Sequence, residues 1–515
     1  MKRRVMIIAF TLSCFAVVAF WALSAGQASG LKSANTVTFS KNVAPIFFKS
    51  CAECHRPGEA APFSVLTYKD ARPWAKSIRE KVVSREMPPW HADPHFSEFK
   101  NDRRLTQSEI DTIVAWVDGG AQEGAAKDLP LPPKFREGWN IGKPDAVFHM
   151  LEEYALAANG PDEYVNFYIP TNFTEDKYVQ MAEARPGNRR IVHHILVAVV
   201  PPNKQGAAGG KSGASSLNRT KPDAPVHDDT CSTGAQSFEE EQWLAQFAPG
   251  LNPDIFEPGI AKKIPAGATL RMQVHYSKAA GSAQQDRSMV GLVFAKEPPK
   301  LLIRKGVVGN ATFKIPPGAE RHRVAACWTT KRDIQIYSYL PHMHLRGAAM
   351  EYKASYPDGK TEVLLSVPSY SFAWQTSYVL KTPKLIPKGT RIMVTAYYDN
   401  SAKNKFNPDP AQAVRHGEPT YDEMMFGLFD FIPQLPQLMK VDSQTLAAYA
   451  GKYQLSPNVV VTITREGERL FVIAPPGEQR VELFAESETK FVALEFDGHI
   501  AFVRNEKGEV TELTA

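Results

Sequence analysis

Hydrophobic positions change their period along this chain. Residues 5–23, VMIIAFTLSCFAVVAFWAL, form one nearly unbroken apolar run. Between about 36 and 126 the spacing is helical. In TQSEIDTIVAWVDGG, residues Ile110, Ile113, Val114 and Val117 fall on one stripe. Thr106 and Glu109 supply a capping box at its start, and Gly119 ends it. From about 145 to 437 that period disappears. Runs such as IVHHILVAVV, TLRMQVHYS, DIQIYSYL and TRIMVTAYYD are strand-length and rich in branched and aromatic residues, and Gly/Pro turns separate them. The pattern predicts an all-β pair of sandwiches, over 145–297 and 298–437. Residues 442–515 alternate apolar and polar in short steps, which predicts an accessory antiparallel meander or small barrel.

Two stretches break these patterns. KDLPLPPKFREGW, within 127–144, is Pro-rich and reads as a stiff linker. Residues 206–229, GAAGGKSGASSLNRTKPDAPVHDD, are small and polar and read as a mobile surface loop.

At 515 residues the chain is too long for one core, which agrees with this division into domains. The formal net charge of +5 is small for the length and no basic tract concentrates it, so nucleic acid is excluded as a partner. Lys2, Arg3 and Arg4 precede the first apolar run, and SAGQASG follows it. That is the order of an export signal, predicted to span 1–28 with Ala28 before the cut. The expected location is the periplasm, with membrane attachment only if the segment stays uncleaved.

Cys51, Cys54 and His55 make a C-x-x-C-H, the attachment signature of c-type haem. No second C-x-x-C completes a zinc site, and no βαβ pattern surrounds a redox dithiol. The thiols would bond the haem edge and His55 would supply an axial nitrogen. Met87, in VVSREMPPWHADPH, is the expected second axial ligand because Pro88 and Pro89 hold the chain extended beside it. His91 and His95 are the alternatives. Residues 36–126 resemble a class I cytochrome c domain.

Of the thirteen histidines, ten remain to be sorted once His55, His91 and His95 are set aside. His342 and His344 in YLPHMHLRGAAM are two apart, so on a strand they share a face. His193 and His194 are adjacent and would point to opposite faces unless a bulge turns one of them. His275 sits alone in MQVHYSK. His149, His227, His322 and His416 have no partner at ligand spacing and read as satisfied polar or surface residues, and the isolated His499 as a surface residue.

The order VHH, QVHY, HMH and DEMM, set in β-strands, resembles the copper type II, ascorbate-dependent monooxygenases over about 145–437. The resemblance implies two packed antiparallel jelly-roll domains, each with one copper. His193, His194 and His275 would form the three-nitrogen site. His342, His344 and Met424 would form the second and catalytic site, with Met424 filling the family's DEM position. Imidazoles suit copper in both oxidation states and a thioether favours the reduced ion, whereas zinc has no redox chemistry. The implied partners are O2, a small organic substrate and an external electron donor, either ascorbate-like or a redox protein. The chain departs from the amidating members of the family. Leu340 stands where they carry a carboxylate-binding Arg, and Phe426 and Leu428 where they carry Asn and Tyr. Peptide amidation is therefore not expected, and the pocket reads as apolar. The function implied is hydroxylation of a C–H bond, with electrons passing through the fused haem. The alternative is a non-catalytic haem and copper protein that transfers electrons or holds copper. Cys231 and Cys327 could pair in an oxidising compartment, although they fall in different predicted sandwiches.

Overall fold

The computed structural model describes residues 36–59, 61–135, 138–202, 210–212, 242–434, 438–457, 459–474, 479–493, 498–507 and 509–514. The N-terminal apolar run with its predicted signal, Cys14, His227, Cys231 and most of the predicted mobile loop lie outside them. Among the described residues, no helix is long and apolar enough to cross a membrane. Contacts divide the chain into two compact units. One holds residues 36–90 and 103–135, the other 91–102 and the described residues from 138 onward.

The first unit is helical. Ala44–Ser50, Ala75–Val83 and Gln107–Asp118 surround a core that includes Phe39, Phe47, Ile113 and Trp116. The last helix starts on the Thr106–Glu109 capping box and stops at Gly119. Ile110 and Ile113 are buried as the stripe predicts, while Val114 and Val117 are only partly so. Trp116, one turn beyond Ile113, is the fully buried residue instead. The rings of Phe39 and Phe47 lie 6.0 and 6.2 Å from it, and its indole N–H donates to the Gln122 carbonyl.

The second unit is β throughout its larger part. Residues 146–302 form two facing sheets. In one, Met289–Phe294 and Lys177–Arg185 are central; in the other, Thr269–Tyr276 lies between Glu163–Pro170 and Val192–Val200. Side chains from both sheets, Val179 and Leu292 from one and Val165, Ile195 and Leu270 from the other, meet in one core. Residues 304–433 repeat the plan. Arg304–Gly309, Phe426–Pro433, Ile334–His342 and Tyr378–Ile386 make one sheet in that order. His322–Thr329, Arg391–Tyr398, Gly347–Ser355 and Thr361–Val367 make the other. Among the described strands pairing is antiparallel except where Leu301–Leu302 joins Ile260–Ile264 in parallel, and an isolated parallel bridge links His416 with Glu423. Cys327 is disulfide-bonded.

After the helix Ser443–Ala448, seven strands pair in sequence order. Gly451–Ser456 and Val510–Thr514, first and last, approach each other and nearly close a small barrel. Tyr449 stacks on Phe502 at 4.0 Å inside it.

His91–Asp102 belongs to the β unit although its chain neighbours on both sides belong to the helical one. It lies along the outer side of Tyr378–Ile386, an edge strand of its sheet. Lys100 N–H donates to the Val379 carbonyl at 2.8 Å and Lys381 N–H to the Glu98 carbonyl at 2.9 Å. The Asn101 amide donates to the Ser377 carbonyl and accepts from Val379 N–H, and Phe99 packs on Tyr378 at 5.5 Å. An edge strand carries unpaired backbone groups, and this strap occupies them.

Candidate metal centres

The strands Val192–Val200 and Thr269–Tyr276 run side by side, His275 opposite His194. The next pair is Tyr276 with Val192, so the register slips by one residue at His193. That bulge is what adjacent histidines need to turn toward a common point. One nitrogen from each of His193, His194 and His275 then lies within 4.8 Å of the others. His193 Nδ1, His194 Nε2 and His275 Nδ1 are all buried without a hydrogen-bond partner. Three lone pairs brought together out of water without donors suit a cation that takes nitrogen ligands.

His275 Nε2 is 3.0 Å from an Asp162 carboxylate oxygen. A carboxylate only accepts, so Nε2 carries the hydrogen and Nδ1 keeps its lone pair. Burial, reinforced by the neighbouring imidazoles, pushes His193 down to about 4 and His194 well below the usual histidine range. Both rings are neutral at pH 7, the form that binds a metal. Tyr164 stacks on His275 at 4.2 Å.

In the second sandwich the strand ends at His342, and His344 lies two residues past that end rather than on the strand. Their rings are 5.3 Å apart and perpendicular, and Met343 between them is fully buried. Each ring is again held by an acceptor. His342 Nδ1 meets the Gln375 amide oxygen at 2.7 Å and His344 Nδ1 the Asp422 carbonyl at 3.2 Å, which leaves both Nε2 lone pairs free. Burial lowers both rings below the usual histidine range, His344 strongly. Tyr370 clamps the intervening residue, its hydroxyl accepting from Met343 N–H and donating to Met343 carbonyl.

Phe426 pairs with His342 in the ladder, which places Met424 just beyond the same strand end. Met424 is half-buried, whereas Met425 is fully buried. Glu423 ties the two segments together. Its buried carboxylate accepts from the backbone N–H of His344 at 2.8 Å and of Arg346 at 2.6 Å, and from that of Met424. Desolvation still pushes this carboxyl up to about 8. The structure thus gathers three histidines in one sandwich, and two histidines with the Met424 backbone in the other.

Residues 303–431 match the family model of the copper type II ascorbate-dependent monooxygenase, C-terminal domain. The second sandwich is therefore a copper-monooxygenase-like domain, which supports an oxidoreductase and implies copper as its metal. Residues 435–515 match a domain of unknown function, DUF3471. No curated protein matches the chain. Among solved structures, the major capsid protein P2 of bacteriophage PM2 shares 8% identity at a TM-score of 0.22, covering 57% of this chain and 98% of its own. A structure of infectious bursal disease virus, Gx strain, shares 9% at 0.14, covering 59% and 84%. Superpositions this slight carry no argument.

Next to the monooxygenase-like site, on the strands that carry His342 and Phe426, the packing is apolar. Val307, Leu340 and Leu428 form a buried cluster with Trp243, Leu251 and Phe426 against it, and Phe426 lies parallel to the His342 ring. The reading of His416 as a satisfied or surface residue is corrected here. It is buried, its Nδ1 has no partner, and burial and the nearby His342 push it down to about 4. Asp162, Gln375 and Glu423 are the residues sequence reasoning missed. Glu423, inside the DEM triplet, and Gln375, inside the turn-like WQTSY, lay next to a signal; Asp162 did not.

The C-x-x-C-H residues lie in the helical unit. Cys51 caps the helix Ala44–Ser50, and His55 N–H donates to its carbonyl. Both thiols are free, and burial pushes Cys51 up to about 12 and Cys54 upward. His55 Nδ1 donates to the Phe63 carbonyl at 3.2 Å, leaving Nε2 with its lone pair, the state an axial ligand needs. Met87 is half-buried past the end of Ala75–Val83. Of its alternatives, His91 and His95 lie in the strap, His95 bonded to Asp93.

Proposed function

We propose that the chain is an exported monooxygenase that inserts oxygen into a C–H bond of a small, uncharged organic substrate, with electrons fed through a c-type haem on Cys51, Cys54, His55 and Met87. The overall conversion is R–H + O2 + 2 e⁻ + 2 H⁺ → R–OH + H2O. The observation that carries this reading is the pair of buried histidine sets whose acceptors leave lone pairs unused, one of them inside the region that matches the copper-monooxygenase family. His193, His194 and His275 would hold one copper; His342, His344 and Met424 would hold the other. Copper, when bound, supplies one-electron redox chemistry and activation of dioxygen, and two ions can store the two electrons the reaction consumes. Asp162, Gln375 and the Asp422 carbonyl fix the tautomers of three ligands, and Glu423 holds the second set together. Leu340, Phe426 and Leu428 offer no charge to a carboxylate, and burying one unpaired is costly, which favours an uncharged substrate.

Metal analysis with oxygen uptake tests the proposal. The intact protein is expected to hold two coppers and one haem per chain and to consume O2 with a reductant. Met424→Ala is expected to abolish uptake and leave the haem spectrum intact. Unchanged uptake in Met424→Ala, or absence of copper from replete protein, refutes the proposal.

A further inference from the structure

Acceptors hold three of the five histidine rings, as described above, but His193 has none. Among the described residues no hydrogen bond orients its imidazole. What lies flat against it is Phe372, at 4.9 Å between centroids and 14° between planes. Phe372 comes from the second sandwich, on the segment between Thr361–Val367 and Tyr378–Ile386. The same ring meets His344 edge-on at 5.7 Å and 77°. One phenyl ring therefore touches one imidazole of each candidate copper set.

The segment carrying it is well anchored. Tyr370 and Gln375 bind it to the His342–Met343–His344 turn. Trp374 lies against Gly250 of the first sandwich, where a Cβ would come within 3.1 Å of the indole. A stacked ring fixes the plane of its neighbour and excludes water from that face. Groups behind metal ligands that fix ring orientation are worth about 10–100-fold in metal affinity.

We propose that Phe372 is the positioning residue for His193, replacing the missing hydrogen-bonded partner, so that the three-histidine centre is complete only when the second sandwich is docked on it. The proposal rests on the copper reading above. Phe372 binds neither substrate nor metal; it acts through His193.

The test compares full-length wild type, Phe372→Leu and Phe372→Tyr, each loaded with Cu(II) and dialysed against a chelator. Copper per chain, the Cu(II) EPR hyperfine pattern and sulfur scattering at the copper X-ray edge are read. Phe372→Leu is expected to weaken copper at the three-histidine centre about tenfold and to lose that ion on dialysis. Average sulfur coordination then rises from about one per two coppers to about one per copper, since only the Met424 centre has a thioether. Phe372→Tyr keeps the stack and is expected to match wild type. Should Phe372→Leu fold poorly by its haem and circular dichroism spectra, Phe372→Ile, which adds no sulfur near either centre, serves in its place. Retention of both coppers with unchanged EPR overturns the proposal, as does selective loss of the sulfur-ligated ion. Wild type that takes up no copper is a different failure, since it removes the copper reading itself.

Discussion

At the scale of single residues, what distinguishes these histidines is that most are both buried and aimed. A carbonyl, amide oxygen or carboxylate on one ring nitrogen settles which nitrogen is left for a metal, while burial keeps the ring neutral. That neutrality has a cost that pH exposes. His193 and His416 are held at about 4 in the folded chain, against an ordinary value near 6.5. Between those limits the unfolded chain binds protons that the folded one refuses, so acidification favours unfolding. Their contribution is fully present above about pH 6.5 and is lost as pH falls toward 4, on the order of 3 kcal/mol each. Thermal melts of copper-free protein are expected to drop through that window, and His416→Leu to flatten the drop. A melting temperature level from pH 7 to 4 would refute this. Sequence made the ligand candidates readable because H-x-H and His-His are local patterns. Asp162 is 113 residues from His275, and Gln375 33 from His342. They are common residue types whose role exists only once the sheets bring them near, so no local pattern gave them that role. His416 misled for the same reason: its burial is decided by Phe313 and Phe426, not by its neighbours in sequence.

At the scale of elements, the helix Gln107–Asp118 was legible to its ends because both caps are written within it. The bulge at His193 was legible only as a condition, since a period of two cannot say where a ladder slips. The strap His91–Asp102 was not legible. Its polar, histidine-bearing sequence read as part of the haem surroundings, whereas its backbone completes a sheet edge of the β unit. It braces the strand that follows the Phe372 segment, with Asn101 bonding on both sides of Tyr378. Asn101→Ala removes two hydrogen bonds, worth about 1 kcal/mol each. Hydrogen exchange is expected to speed up at the amides of Val379 and Lys381 by roughly tenfold or more, with the haem spectrum unaltered. Unchanged protection there would mean that the strap merely rests on the edge.

At the scale of the whole molecule, the chain passes between its two compact units at three places, after Trp90, after Asp102 and after Phe135. A donor tethered to its acceptor works at an effective concentration on the order of millimolar, far above that of a separate redox protein. On the proposed function, a haem carried by the helical unit feeds electrons to the copper sets within one chain. Two consequences follow in stopped flow. When chemically reduced haem is generated beside oxidised copper, it should reoxidise in a first-order phase whose rate does not change on tenfold dilution of the protein. Removing the three-histidine acceptor by His194→Ala should slow that phase while the haem still reduces normally. A rate that falls with dilution would mean that electrons travel between molecules and that the fusion serves another purpose. Reduced haem that persists beside oxidised copper would mean that the haem is not the donor, and a diffusible reductant would have to reach the copper centres directly.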